Sequence, residues 1–198
     1  MPERPPGSGE ADVGAAGRGI RWDAIAAIIA ALVGLLALCV SAYTAYIQRQ
    51  QVRAQVWPYL LAGNDDGKQA IYVYNKGVGP AIVKTAQIFI DGKPRTDWAH
   101  VLAALGMPPH GYVQSTLNPN VISAGEEVRI IKVVDQDRWQ VFRDAATSRM
   151  TMDICYCSTL GECWLYSDRH PVGYKSIAQL VHEVDRCPRL PDSEVFNN

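Results

Sequence analysis

Apolar and polar positions are distributed very differently on the two sides of residue 48. Ala24 to Ile47 reads AIAAIIAALVGLLALCVSAYTAYI, without one charged side chain and with only Ser41 and Thr44 clearly polar. As a helix, 24 residues extend roughly 36 Å, and a hydrocarbon core of about 30 Å needs about 20 of them. Trp22 stands at one end of the run, and Tyr43 and Tyr46 at the other, where interfacial aromatics are expected. Residues 22–47 are therefore predicted to form a single transmembrane helix facing the lipid bilayer. A cleaved signal peptide is the rival. It requires a short basic leader, whereas this run is preceded by Glu3, Glu10, Asp12 and Asp23. Leu36-Ala37-Leu38-Cys39 is a poor lipoprotein box, because Leu38 is too large for its position.

Beyond the run, the pattern changes to short alternating segments. Residues 48–56, QRQQVRAQV, are good helix formers and extend the helix until Pro58 ends it. Ala70–Tyr74 (AIYVY), Ala81–Ile90, Tyr112–Leu117, Val128–Val134, Met150–Cys157 and Cys163–Tyr166 have the β-branched and aromatic character of strands. Thr96–Leu105 has the period of a helix with Thr96 as its cap, and Gln136–Ser148 is a second helix with Trp139, Phe142 and Ala146 on one side. Ile177–Val184 fits a strand or a helix, with the helical period favoured. Turn chemistry separates these elements. Asn75-Lys76-Gly77-Val78-Gly79-Pro80 is a kinked connection between two strands, with Asn75, Gly77, Gly79 and Pro80 as its structural turn residues.

About seven strands and two or three short helices predict a mainly β fold, a β-sandwich of immunoglobulin-like architecture, preceded by the transmembrane helix. The expected organisation is a disordered tail at 1–21, the transmembrane helix at 22–47, a juxtamembrane helical extension at 48–56, the sandwich at 57–187 and a C-terminal tail at 188–198. The hallmark cysteine–tryptophan–cysteine spacing of immunoglobulin domains is missing, so the likeness is one of architecture. Trp57, Trp98 and Trp139 are expected in the core, and Trp164 against a neighbouring disulfide.

Composition then narrows the function classes. The chain has 198 residues, 48% of them hydrophobic and 20% charged, with a formal net charge of −1. That balance excludes an acidic disordered chain and offers no basic surplus for nucleic acid. Four of the five cysteines lie outside the apolar run: Cys155, Cys157, Cys163 and Cys187. Cys155 and Cys157 share one face of a strand and are badly placed to bond each other. Cys163 follows the turn and can lie opposite Cys157, a feasible cross-strand disulfide if that pair is not hydrogen-bonded. Cys155 is then left for Cys187. In chain-entropy terms these loops are worth roughly 2.4 and 3.7 kcal/mol. A four-cysteine zinc site is a second reading, with spacings that match zinc knuckles poorly. Four unpaired thiols are a third. Disulfides require an oxidising compartment, and the nearly equal basic flanks, Arg18 and Arg21 against Arg49 and Arg53, permit the C-terminal domain to lie there.

Catalytic constellations are not found. Gly77-Val78-Gly79 lacks the third glycine and the helix of a dinucleotide loop. His100, His110, His170 and His182 form no paired metal motif. Asp97 and His100 can share a helix face. Ser167, Asp168 and His170 cluster without the strained elbow of a hydrolase. Glu126-Glu127 and Asp135-Asp137 are read as solvated turn residues. No catalytic residue, metal ligand or cofactor is predicted. Ala26, Ala30 and Gly34, four apart, offer a homo-oligomer contact through the membrane helix, against the plainer reading that alanine is common in such helices.

Three pieces together, Tyr74 to Ala81, Ile122-Ser123-Ala124-Gly125-Glu126, and Cys155-Tyr156-Cys157 with Cys163-Trp164, resemble uncharacterised bacterial proteins with one N-terminal membrane helix and an envelope-facing β-sandwich. The resemblance covers residues 24–187. It implies a single-pass protein of the bacterial inner membrane with a periplasmic C-terminal domain, and it carries over no catalytic residue. The expected role is a binding, sensing or scaffolding module with a protein partner in the envelope. The alternatives are an envelope hydrolase with a site near Asp168 and His170, or a cytoplasmic domain tethered to the membrane.

Overall fold

The structure, a computed structural model, describes residues 22–169 and 179–197. The expected tail at 1–21, His170, and the first two residues of the Ile177–Val184 segment lie outside them. The chain divides into two units, residues 1–47 and 48–198.

In the first unit, helix α1 (Trp22–Gln55, 34 residues, continuing past the division) buries none of its side chains. It is long and apolar enough to cross a membrane. The hydroxyl of Thr44 donates to the Val40 carbonyl at 2.8 Å, which satisfies a polar group in an otherwise apolar stretch. Trp22, Tyr43 and Tyr46 are all exposed.

The second unit is mainly β. Its elements in chain order are β1 (Leu60–Asp65), β2 (Ala70–Asn75), β3 (Ala81–Ile90), β4 (Lys93–Arg95), α2 (Trp98–Ala104), β5 (Tyr112–Gln114), β6 (Asn120–Ile122), β7 (Glu127–Val133), α3 (Gln136–Arg149), β8 (Met150–Cys157), β9 (Cys163–Ser167) and β10 (Val181–Val184). All pairings are antiparallel. One sheet has the order β1-β2-β7-β5 and the other β10-β9-β8-β3-β4, with β6 also paired to β3. Residues of both sheets form one core, among them Leu60, Val73 and Ile130 from the first, and Val83, Ile88 and Ile154 from the second.

Strand β3 organises the second sheet. One edge pairs with β8 along its length; the other takes β6 at Ala81–Val83 and β4 at Ile88–Ile90. A register shift between Val83 and Thr85 changes which side chains face inward. Ala81 and Val83 are buried before it, and Ala86, Ile88 and Ile90 after it. This explains why the alternation in the sequence is clean only from Ala86 onward.

Both short helices bury aromatic faces. Helix α2 buries Trp98, Val101 and Leu102, and α3 buries Trp139, Phe142 and Ala146. The cap of α2 is Asp97, not Thr96: its carboxylate accepts the His100 N–H at 2.9 Å. Asp135 caps α3 in the same way, accepting the Arg138 N–H at 2.9 Å.

Four further expectations are corrected. Val181–Val184 is a strand on the edge beside β9, not a helix; pairing with β9 overrides a helical period too short to nucleate alone. Trp57 is 43% exposed and tilts against Tyr59 instead of entering the core. Trp164 stacks on Tyr156, ring centroids 6.1 Å apart, so alternation turns it to the face opposite Cys163. The expected tail at 188–198 is anchored near its end, where Phe196 is 1% exposed in the core, while Pro188, Arg189 and residues 191–193 remain exposed.

Candidate functional site

The four cysteines of the β-domain converge on the outer face of the larger sheet. In β8 the even residues Met152, Ile154 and Tyr156 belong to the core. Strand alternation therefore turns Cys155 and Cys157 outward together. Cys163 lies directly opposite Cys157 in the β8–β9 register. The Ser158 N–H donates to the Glu162 carbonyl at 2.8 Å, so the hydrogen-bonded pair is the next one. Cys157 and Cys163 thus face each other across the closer, non-hydrogen-bonded spacing, with Cα atoms 4.0 Å apart and sulfurs bonded at 2.09 Å. Gly161, at φ +81°, makes the tight turn that returns the chain.

Cys187 arrives from the other direction. After β10 the chain crosses the outer face of the sheet, and Cys187 bonds Cys155 with Cα atoms 5.6 Å apart. The two disulfides touch: Cys157 Sγ lies 3.8 Å from Cys187 Sγ. Cys155 is 1% exposed, Cys157 6% and Cys163 7%, whereas Cys187 is only partly covered. Cys187 borders an open groove with Arg186, Pro188 and Arg189. Sulfurs of Cys157, Cys163 and Cys187 lie within 4.8 Å of one another. Each is committed to an S–S bond, and a metal takes thiolates; the cluster is a pair of adjacent disulfides and not a preformed metal site. Cys39 is the one free cysteine among the described residues, exposed on α1.

Past Cys187, residues 188–197 run as a strap towards the far edge of β3. Glu194 meets Gln87 at 3.5 Å. The Phe196 N–H donates to the Ala86 carbonyl at 2.9 Å, and the Asn197 N–H to the Thr96 carbonyl at 2.7 Å. Ala86 lies between the stretch of β3 paired with β6 and the stretch paired with β4. The strap thus fills a gap in an edge that would otherwise offer open backbone groups. The Phe196 ring meets Trp98 edge-on at 5.3 Å.

The other predicted residues have structural work. Asn75 is fully buried. Its carbonyl oxygen accepts the N–H groups of Tyr59 (3.2 Å) and Gly77 (3.0 Å), and its amide donates to the carbonyls of Gly79 (2.8 Å) and Ile122 (2.9 Å). The loop it organises grips the start of the domain: the N–H groups of Val78 and Gly79 both donate to the Trp57 carbonyl. A Cβ on Gly79 would lie 2.2 Å from the Val56 carbonyl carbon, and one on Gly77 2.4 Å from the Trp57 oxygen, so neither position admits a side chain. Pro80 ends the loop ahead of β3.

Asp168 follows β9, and its carboxylate accepts the Met152 N–H at 2.6 Å. Burial pushes its pKa up to about 6, against the lowering effect of that bond and with a further push from Asp153. Ser167 is buried, its hydroxyl accepting the Arg169 N–H at 3.4 Å. His170 lies outside the described residues; among the described ones, Ser167 and Asp168 make hydrogen bonds at the end of β9. Asp97 and His100 pair at 2.6 Å on the exposed cap of α2. Glu126 accepts the Ser123 N–H at 2.7 Å, and Glu127 meets Lys68 at 3.4 Å.

Sequence reading missed the strap and the bond from the Leu60 N–H to the Tyr156 hydroxyl, 3.1 Å across the core. Neither has a local signature, since each joins residues far apart in the chain. No family model, curated protein or solved structure matches this chain.

Proposed function

We propose that the chain is a single-pass protein of the bacterial inner membrane whose β-domain stands in the periplasm as a binding, sensing or scaffolding module. The reading takes the two sheets as a β-sandwich of immunoglobulin-like architecture. The observation that carries it is the pairing of all four β-domain cysteines in two disulfides, next to one helix of membrane-spanning length. Such bonds belong to oxidising compartments. They tie down the C-terminal strap and hold a surface on which polar groups serve caps, turns and strand ends. A scaffold secured in this way suits presentation of a fixed surface to a protein partner.

The test is thiol labelling in intact membranes with a maleimide–polyethylene glycol reagent, with and without prior reduction. The expected result is four additional labels after reduction, at Cys155, Cys157, Cys163 and Cys187. Labelling of all four without reduction would place the domain in the cytoplasm and overturn the reading. For the role itself, site-specific photocrosslinkers on the exposed face of the β-domain should yield a discrete adduct with an envelope protein. Adducts with lipid alone would argue against a protein partner.

A further inference from the structure

We propose that the paired disulfides form a thiol–disulfide exchange relay entered at Cys187, and that an external dithiol converts them into a single new bond, Cys157–Cys187. Three observations meet at one place. The sulfurs of Cys157 and Cys187, which belong to different disulfides, are 3.8 Å apart, in van der Waals contact. Cys187 is the partly open member of the four, while Cys155, Cys157 and Cys163 are buried. The groove leading to it carries Arg186 and Arg189, both exposed. Positive charge beside a cysteine favours its thiolate, and it draws in an attacking thiolate.

The chemistry balances in three displacements. A thiolate of the external dithiol attacks Cys187 Sγ; the Cys187–Cys155 bond breaks, and Cys155 leaves with the electron pair and takes a proton. The second thiol of the reagent then attacks the mixed disulfide. It leaves as its own cyclic disulfide, oxidised by two electrons, and frees the Cys187 thiolate. Released from Cys155, the Cys187 side chain turns from its 3.8 Å contact into line with the Cys157–Cys163 bond and its thiolate attacks Cys157 Sγ; the Cys157–Cys163 bond breaks, and Cys163 leaves and is protonated. The protein has gained two electrons and two protons. It holds one disulfide, Cys157–Cys187, and two thiols, Cys155 and Cys163.

The route does not depend on which bond is opened first. If Cys157–Cys163 is reduced instead, the Cys157 thiolate attacks Cys187 and Cys155 leaves. Both orders reach the same product when exchange runs across the 3.8 Å contact of Cys157 with Cys187. The exchange releases the β8–β9 hairpin from its cross-strand bond. It also moves the anchor of the C-terminal strap two residues along β8, about 7 Å. The strap stays tethered while its register against β3 changes, a redox-controlled shift in the surface it covers.

The experiment uses the full-length protein in detergent. One molar equivalent of dithiothreitol is added, the mixture is quenched in acid, free thiols are blocked with N-ethylmaleimide, and the disulfides are mapped by tandem mass spectrometry. Cys39 takes one constant label. The expected product carries two more, on Cys155 and Cys163, with Cys157 joined to Cys187 in most singly reduced molecules. A singly reduced population retaining only Cys155–Cys187 or only Cys157–Cys163 overturns the relay. A second measurement uses the double variant Cys155→Ser, Cys163→Ser, in which air oxidation should form the Cys157–Cys187 bond within one chain. Should that variant fail to fold, the wild-type mapping decides alone.

Discussion

The start of the β-domain is gripped by neutral backbone hydrogen bonds, and its end by a covalent bond and one aromatic ring. At the start, the loop from Asn75 to Gly79 takes hold of Trp57 and Tyr59 through main-chain groups, with no side chain between Gly79 and the Val56 backbone. At the end, Cys187 is bonded to β8 and Phe196 is inserted beside Trp98. The first device depends on close approach and works in any redox state. The second depends on an oxidising compartment and on a hydrophobic contact between residues nearly a hundred positions apart. The comparison teaches that a segment leading out of a long apolar helix can be secured locally, whereas a terminus crossing a sheet needs a long-range tie.

The two devices can be broken separately. The largest effect is expected at the start: Asn75→Ala strands two N–H groups and two carbonyls in a buried site, each worth about 1–3 kcal/mol, for a loss of roughly 4 kcal/mol or more. That approaches the net stability of a small domain. A denaturant midpoint moved by less than about 2 kcal/mol would mean that other bonds hold the loop. At the end, Phe196→Ala should cost about 3–4 kcal/mol through a cavity beside Trp98. It should also raise hydrogen exchange at Ala86 and Thr96 neighbours while leaving Gly77 and Gly79 protected; uniform loss of protection would show that the ends are not independent.

A smaller effect is expected at Asp168, whose carboxylate accepts the Met152 N–H after the end of β9. Its carboxyl is protonated in both folded and unfolded chains well below its ordinary range. As pH rises towards and through about 6, the folded protein must ionise a buried acid, and the stability contributed by the protonated form is lost. Asp168→Asn keeps an acceptor for Met152 and removes that cost. It should stabilise the domain by about 2–3 kcal/mol near pH 8 and by almost nothing near pH 4. Equal shifts in melting temperature at both pH values would refute the assignment. The smallest change joins the two sheets at the start of the domain: Tyr156→Phe leaves the Leu60 N–H unpaired in the core and should cost about 1–2 kcal/mol in chemical denaturation. A neutral outcome would mean that the Leu60 N–H finds another partner.

Much of this architecture is readable along the chain because its signals are local. Apolar length marks α1, β-branched and aromatic content marks β2, β7 and β8, and Asn75 with Gly77 and Gly79 marks a turn that only small residues can make. The cysteine pairing of β8 and β9 follows from strand period and turn length. Three-residue strands such as β4 and β6 carry too few positions to show a period, and they exist only because β3 presents an edge to pair with. Thr96 and Asp97 are both good caps by residue type, and backbone direction at the helix start selects Asp97.

By itself, then, the sequence determined the long apolar helix, the mainly β character of residues beyond it, and the supply of four cysteines that strand geometry sorts into pairs. Each depends on composition and period within a short window, where the physics is local. Tertiary structure alone decided that residues 188–197 return to seal the edge of β3, that Val181–Val184 joins a sheet, and that the two disulfides touch through Cys157 and Cys187. Those outcomes depend on which surfaces meet after the sheets have closed, because burial and pairing free energies are gained only when distant segments are brought into contact.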